Sequence, residues 1–281
     1  MILNLDFGPL GHHTVELPNV TEPEYAGITT YLTNLITSKQ MKAREAIADA
    51  FALALETCPD ENPSDLFHHI IYRTYLKVVL GTNPEQSWVR TSGEALELQL
   101  TRMYNPRLVD QGILLTPLFS RLQKADVLRR MGIGDRVTAH KIDIAIERLN
   151  AGSGIGPNGY GVIGGIHAKG SVAERISDDI PASRIMMDNG FLSILSILDM
   201  KSFPPPHGDL VNRGEFGSPE SPTDKRIYIE RHGDFNACFS YNWRTVPSLP
   251  TTPSGRRVIT VDPRKSPDEF MQFLQDAASN L

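Results

Sequence analysis

Apolar and polar positions alternate with a period of two in two nearby stretches, and the rest of the chain reads as scaffolding around them. In Lys141–Ile146, Ile142, Ile144 and Ile146 fall on one side while Lys141 and Asp143 fall on the other. In Val162–Lys169, Val162, Gly164, Ile166 and Ala168 form an apolar or small set, and His167 and Lys169 share the opposite face. Two antiparallel strands are predicted, with Asp143, His167 and Lys169 on one side of a sheet. The glycines between them (AGSGIGPNGYGVIGG) match neither GxxxxGK(S/T) nor a GxGxxG that opens a helix, so they read as a hairpin connection, not a phosphate loop. A carboxylate and a lysine so placed suit metal-dependent phosphodiester chemistry, the acid holding a cation and the lysine standing beside the attacking water. The same two residues also fit an ordinary solvated sheet surface, so the pair needs support from elsewhere.

Helical periodicity dominates the first part of the chain. Ile36, Ala43, Ile47, Ala50, Phe51 and Ala54 recur at helical spacing over Thr29–Thr57, and Pro59 and Pro63 end that pattern. Ser64 or Asp65 then caps a helix through Leu80, with Leu66, Ile70, Ile71 and Tyr75 inward and His68–His69 on its surface. Residues 1–23, rich in Pro and Gly, read as a surface wrap in which His12–His13 is a solvated pair. Thr91 and Glu94 have capping-box spacing at the start of a helix whose buried stripe is Leu96, Leu100 and Met103, with Glu97 bordering it. A loop around Pro106 follows, then a helix over Leu118–Met131 whose Arg121, Lys124, Arg129 and Arg130 face either solvent or phosphates.

Beyond Lys169 the pattern is helical near Val172–Ser177, breaks at Pro181 and resumes over Ser183–Asp188. Phe191–Met200 is a dense apolar run of strand length, which predicts a central strand covered on both faces. PPPHGDLVNRGEFGSPESPTD is a long loop, Arg226–Trp243 and Val258–Val261 read as further strands, and Ser266 caps a C-terminal helix. The organisation expected is a helical N-terminal portion over 1–85 packed on a core over 86–281.

Composition narrows the classes without choosing among them. The 281 residues are 40% apolar and 22% charged, ordinary for a globular chain with a sizeable core. No apolar run reaches the ~18 residues that span a bilayer, and the N-terminus lacks a secretory pattern. Cys58 and Cys238 are far apart, which points to a reducing cytoplasm rather than a disulfide framework. The net charge of −5 argues against a general nucleic-acid coater, yet it is unevenly spread. Ten acids face three bases over 1–65, whereas eight bases, among them Arg256 and Arg257, face three acids over 225–265. Any polyanion-facing surface is expected in the later part.

Three separated pieces together resemble one family, the type II restriction endonucleases of the PD-(D/E)xK superfamily that cut sites containing CCGG, in particular the AgeI/BsaWI-like branch. The helix motif T-S-G-x-A-(F/L)-E of that family is matched by Thr91-Ser92-Gly93-Glu94-Ala95-Leu96-Glu97, its strand carboxylate by Asp143 in KIDIAI, and its lysine by His167-Ala168-Lys169. The resemblance covers roughly Thr91 to Lys201. It implies an α/β fold with a mixed central sheet flanked by helices, and Mg²⁺-dependent cleavage of double-stranded DNA at a short palindrome by a bacterial homodimer. It also implies catalytic roles for Glu97, Asp143, Lys169 and Glu174, the last supplying the acid that His167 does not, with metal held by Asp143, Glu174 and Glu97. Arg175, Asp178 and Asp179 are then the residues for base contacts, because arginine suits guanine and carboxylates suit the cytosine amino group. Arg256 and Arg257 would hold phosphates. Several departures stand out. No proline precedes Asp143, His167 replaces Asp, Glu or Ser, and the Arg-(Asp/Glu)-Arg reading element has no literal match. Asp178 and Asp179 compete with Glu174 for the acid role. Two other classes fit the residues alone: a structure-specific or repair nuclease of the same fold, and a non-enzymatic DNA-binding module.

Overall fold

The computed structural model describes residues 1–6, 11–79, 83–138, 141–171, 176–201 and 210–279. Its centre is a six-stranded mixed sheet in the order β3-β4-β5-β6-β7-β8, formed by Ile113–Pro117, Ile144–Leu149, Tyr160–Lys169, Leu192–Ile197, Ala237–Ser240 and Val258–Thr260. The first three strands are antiparallel neighbours, and β5 through β8 run parallel. The expected mixed sheet flanked by helices is therefore present. β6 lies between β5 and β7 and is buried along almost its whole length, as its mostly apolar run with only small serines between leads one to expect.

Helices cover both faces of the sheet. On one face Ile144, Ile146, Ile166, Ile194 and Phe239 pack in a single cluster with α1 (Glu22–Ser38), α2 (Ala43–Thr57), α5 (Pro84–Leu108) and α9 (Glu269–Ser279). On the other, Ala145 and Val162 pack against α6 (Arg121–Arg130) and α7 (Ile180–Asp188). Leu195, Ile197 and Cys238 meet Ile229 of α8 (Asp224–Glu230) on that same side.

Several local expectations give way to tertiary packing. Residues 1–23 are not merely a wrap, since Ile2–Asp6 (β1) and His12–Glu16 (β2) pair as an antiparallel ribbon. The stretch after Pro59 is capped by Asn62, not Ser64 or Asp65, and runs through α3 (Pro63–Asp65), a π-helical segment (Leu66–Tyr72) and α4 (Arg73–Val78). His69 is buried there instead of lying on the helix surface. Thr91 caps nothing: α5 starts two turns earlier, with the Asn83 side chain accepting from Gln86 N, and the Thr91 hydroxyl donates to Ser87 O at 2.8 Å. Pro106 does not open a loop, because Asn105 exchanges two 2.9 Å hydrogen bonds with the backbone of Leu115 and holds the last turn against β3.

In the later part, Arg226 begins no strand. It sits fully buried in α8, its guanidinium donating to Glu230 and to Phe216 O, a helix fixed by long-range partners. The C-terminal helix is capped by Asp268, whose carboxylate accepts from Met271 N at 2.8 Å, and not by Ser266. Pro181 lies in the first turn of α7, where its missing N–H costs nothing, so the expected break there is a start.

Candidate active site at the end of strands β4 and β5

The predicted hairpin frame is present, with one irregularity. Ile144 pairs with Ile166 and Ile146 with Gly164, but Glu147 pairs with Val162, so Ile163 is the extra residue of a bulge. The bulge puts Val162 and Ile166 on opposite faces, which breaks the even alternation the sequence suggests. Ile142 also leaves the alternation and packs on the Val162 side. The glycines of the connection are sterically required: a Cβ on Gly161 would lie 2.2 Å from Ala151 O. Arg130 fastens this loop by donating to Gly154 O at 2.8 Å and Tyr160 O at 2.9 Å, while pairing with buried Glu147 at 2.8 Å.

Asp143 directly precedes β4, yet its backbone is paired on both sides. Its N–H donates to Ile166 O at 3.1 Å and its carbonyl accepts from Leu118 N at 2.9 Å. This fixes the carboxylate at the end of the sheet beside the last residues of β5. Asp143 Oδ2 accepts from Ala168 N at 3.1 Å and lies 3.7 Å from Lys169 Nζ, and Oδ1 accepts from Lys124 Nζ at 2.8 Å. Lys169 Nζ also stands 3.2 Å from Asp179 Oδ2, and Asp179 Oδ1 lies 3.3 Å from Lys141 Nζ. Two acids and three lysines thus interleave in a half-dry cluster.

Glu97 joins this cluster from α5. Burial first and the charge of Asp143 second push its carboxyl up to about 9, with Lys124 and Lys169 pulling the other way. Its Oε2 is buried and has no hydrogen-bond partner. For Asp143, burial acts upward, but the charges of Lys169 and Lys124 and the Lys124 hydrogen bond prevail and hold it below its ordinary value. One acid is therefore kept ionised and its neighbour kept neutral, the divergence that marks sites with chemistry to perform.

The structure gathers Glu97, Asp143, Lys169 and Asp179, and does not treat the other singled-out residues alike. Glu174 and Arg175 lie outside the described residues. Asp178 is exposed, whereas Asp179, expected at base edges, is 4% exposed and committed to two lysines. His167 is fully buried, its Nε2 3.0 Å from Ser193 Oγ and its ring edge-on to Phe235. Burial holds it below the usual histidine range, so the ring is neutral. Arg256 and Arg257 are exposed at the start of β8, three strands away from β5. Glu94 pairs with Arg44 at 3.0 Å and Arg90 at 3.3 Å. Among the described residues no group of three or more His, Cys, Asp or Glu side chains is close enough to hold a metal unaided.

One member of the cluster was not legible in the sequence and a second only as an alternative. Lys124 is one of four bases on α6, and spacing alone does not distinguish it from Arg129, which pairs with Asp126 on the surface. Asp179 was one of two aspartates competing with Glu174 for the acid role, and only the fold shows that it, not Asp178, reaches Lys169.

A family model described as BsaWI restriction endonuclease type 2 matches residues 119–262. The chain is 56% identical to the type II restriction enzyme AgeI of Thalassovita gelatinovora over 98% of each chain. It belongs to the type II restriction endonucleases of the BsaWI family. The crystal structure of a specific AgeI–DNA complex superposes with a TM-score of 0.95 at 56% identity, covering 99% of each chain. A pre-specific BsaWI–DNA complex gives a TM-score of 0.48 at 17% identity over 92% of this chain and 91% of the other. This restriction endonuclease is accordingly a hydrolase of the DNA backbone, and enzymes of its type generally need a divalent metal ion. Among its described residues no helix is long and apolar enough to cross a membrane.

Proposed function

We propose that this endonuclease cuts both strands of duplex DNA at a short palindrome containing CCGG, with Mg²⁺, as two copies acting together in the bacterial cytoplasm. The observation that carries the reading is the placement of Asp143 between two ammonium groups, with Lys169 shared between Asp143 and Asp179 at 3.7 and 3.2 Å. The donor set fits a small hard cation. Mg²⁺ takes one or two carboxylates and completes its shell with water and phosphate oxygens, so a cage of three acids is not needed. The buried, partnerless Oε2 of Glu97 is a further acceptor with no task in the protein alone.

When bound, the cation would neutralise charge on the scissile phosphate and sharpen the attacking water. Asp143, ionised and rigidly hydrogen-bonded, is the principal anchor for it. Asp179 supplies the second carboxylate that His167 cannot, with Glu174 the alternative just upstream. Glu97 takes up or releases a proton at Oε2 and holds a water at the edge of the site. Lys169 keeps its ammonium at the reacting phosphate and stabilises negative charge as it develops.

Base reading is assigned to Arg175 and Asp178, close in sequence to this cluster, and Arg256 and Arg257 are assigned phosphate contacts that position without reading. Neutralising both of the latter weakens binding to every sequence and lowers its salt dependence. The direct experiment is incubation of the protein with phage DNA and Mg²⁺, followed by sequencing of the fragment ends. Discrete ends sharing a CCGG core are expected, and random nicking or ends without it would overturn the assignment.

A further inference from the structure

The ion pair between Lys124 and Asp143 has no evident place in a site built to hold a cation. Both oxygens of Asp143 are engaged: Oδ2 by Ala168 N at 3.1 Å and Lys169 at 3.7 Å, and Oδ1 by Lys124 Nζ at 2.8 Å. A divalent ion ligated by Oδ1 would need the position that the Lys124 ammonium fills. Lys124 comes from a different element than the other members. It projects from α6, and it also lines a cleft of ≈ 770 Å³ with Arg121, Leu128, Arg136 and Thr138. Lys124 is the residue that cleft shares with the acid–lysine cluster, and Arg121 and Arg136 on its walls are exposed. Its charge suits a phosphodiester strand, although Asp135 also lines it.

We propose that Lys124 is a resident counter-ion of Asp143 that DNA withdraws, so that the metal site opens only on a bound duplex. The inference rests on the reading of Asp143 as the metal-holding acid. With no DNA present, Lys124 neutralises the carboxylate and excludes a divalent cation by occupancy and by charge. A backbone phosphate entering the cleft between Arg121 and Arg136 offers the ammonium a second anionic partner. The flexible four-carbon stem lets Nζ turn from Oδ1 into the cleft without movement of the helix. Asp143 Oδ1 is then free for the cation. Because linkage is reciprocal, DNA tightens metal binding by the same factor that metal tightens DNA binding.

The test is calorimetric titration of Ca²⁺ into the wild type, Lys124→Gln, Lys124→Arg and Asp143→Asn, each free and bound to a duplex carrying the site recovered by end-sequencing. Lys124→Gln is expected to bind Ca²⁺ about tenfold tighter than the wild type in the absence of DNA, and to show a DNA-dependent gain about tenfold smaller. Lys124→Arg retains the charge and is expected to behave as the wild type. Equal Ca²⁺ affinity of the free wild type and free Lys124→Gln would overturn the proposal while leaving the site intact. Unchanged Ca²⁺ binding by Asp143→Asn would instead overturn the metal-site reading beneath it. Lys124→Met, which keeps the length of the apolar stem, carries the same expectation and replaces Lys124→Gln if circular dichroism shows that variant to be unfolded.

Discussion

Lys124 Nζ stands 2.8 Å from Asp143 Oδ1, nearer to that carboxylate than Lys169, whose Nζ is 3.7 Å from Oδ2. The two lysines reach Asp143 from a helix and from a neighbouring strand, so the acid is held whichever of them moves. Asp143→Asn and Lys169→Ala should each lower cleavage by at least ~10²-fold, the scale of losing one transition-state contact. Their stabilities should differ. Asp143→Asn leaves two ammonium groups without their shared anion and costs on the order of 3 kcal/mol, whereas Lys169→Ala leaves the Lys124 pair in place. Urea unfolding beside a plasmid-cleavage assay reads both, and full turnover by Asp143→Asn would end the assignment.

The second carboxylate can be identified by ranking three variants. Asp179 is buried against Lys169, so Asp179→Asn is expected to reduce cleavage severely, by ~10²-fold or more, and Glu174→Gln less. His167→Gln should affect folding more than turnover, since its ring is neutral and bonded to Ser193. Greater loss from Glu174→Gln than from Asp179→Asn would return the role to Glu174.

Glu97 gives a pH-dependent stability whose sign follows from its shift. Its carboxyl is raised from 4.5 to about 9, so between those values the folded protein holds a proton that the unfolded chain has released. Stability therefore falls as pH rises through that window, by up to about 1.4 kcal/mol per unit, on the order of 3 kcal/mol by pH 7. Glu97→Gln removes the dependence, and the metal-free variant should be more stable than the wild type at pH 8 and closer to it at pH 5. Denaturant melts in a chelator at the two pH values check this, and parallel curves for both proteins would refute it.

Among the described residues one copy carries one acid–lysine cluster; with one strand cut per cluster, two copies are expected on each palindromic duplex. Wild-type protein mixed with excess Lys169→Ala should release nicked circles ahead of linear plasmid. Linear product alone, in proportion to the wild-type fraction, would exclude the paired arrangement.

Local pattern was enough for the elements whose partners lie close along the chain. The approximate alternation around Asp143 and Lys169 and the mostly apolar run of β6 prescribe strands, and the glycines between the first two prescribe their connection, through sterics and burial alone. The motif ending in Glu97 placed that acid on a helix. Where pairing is long-range, the sequence held no such instruction. The bulge at Ile163 reversed the facing of Val162, Asn105 carried α5 past Pro106, and the buried Arg226 made a helix of an expected strand. The active-site cluster divides in the same way. Asp143 and Lys169 were legible because they lie one and three positions beyond the Ile144–Ile166 pair, where strand pairing fixes them. Lys124 was not, and Asp179 stood only as a competitor of Glu174, because a charge is drawn to its counter-charge through space, across 19 residues from Lys124 to Asp143 and 38 from Lys141 to Asp179. Only the folded structure, by excluding water from around Asp143, decided which of the many lysines and acids would meet there.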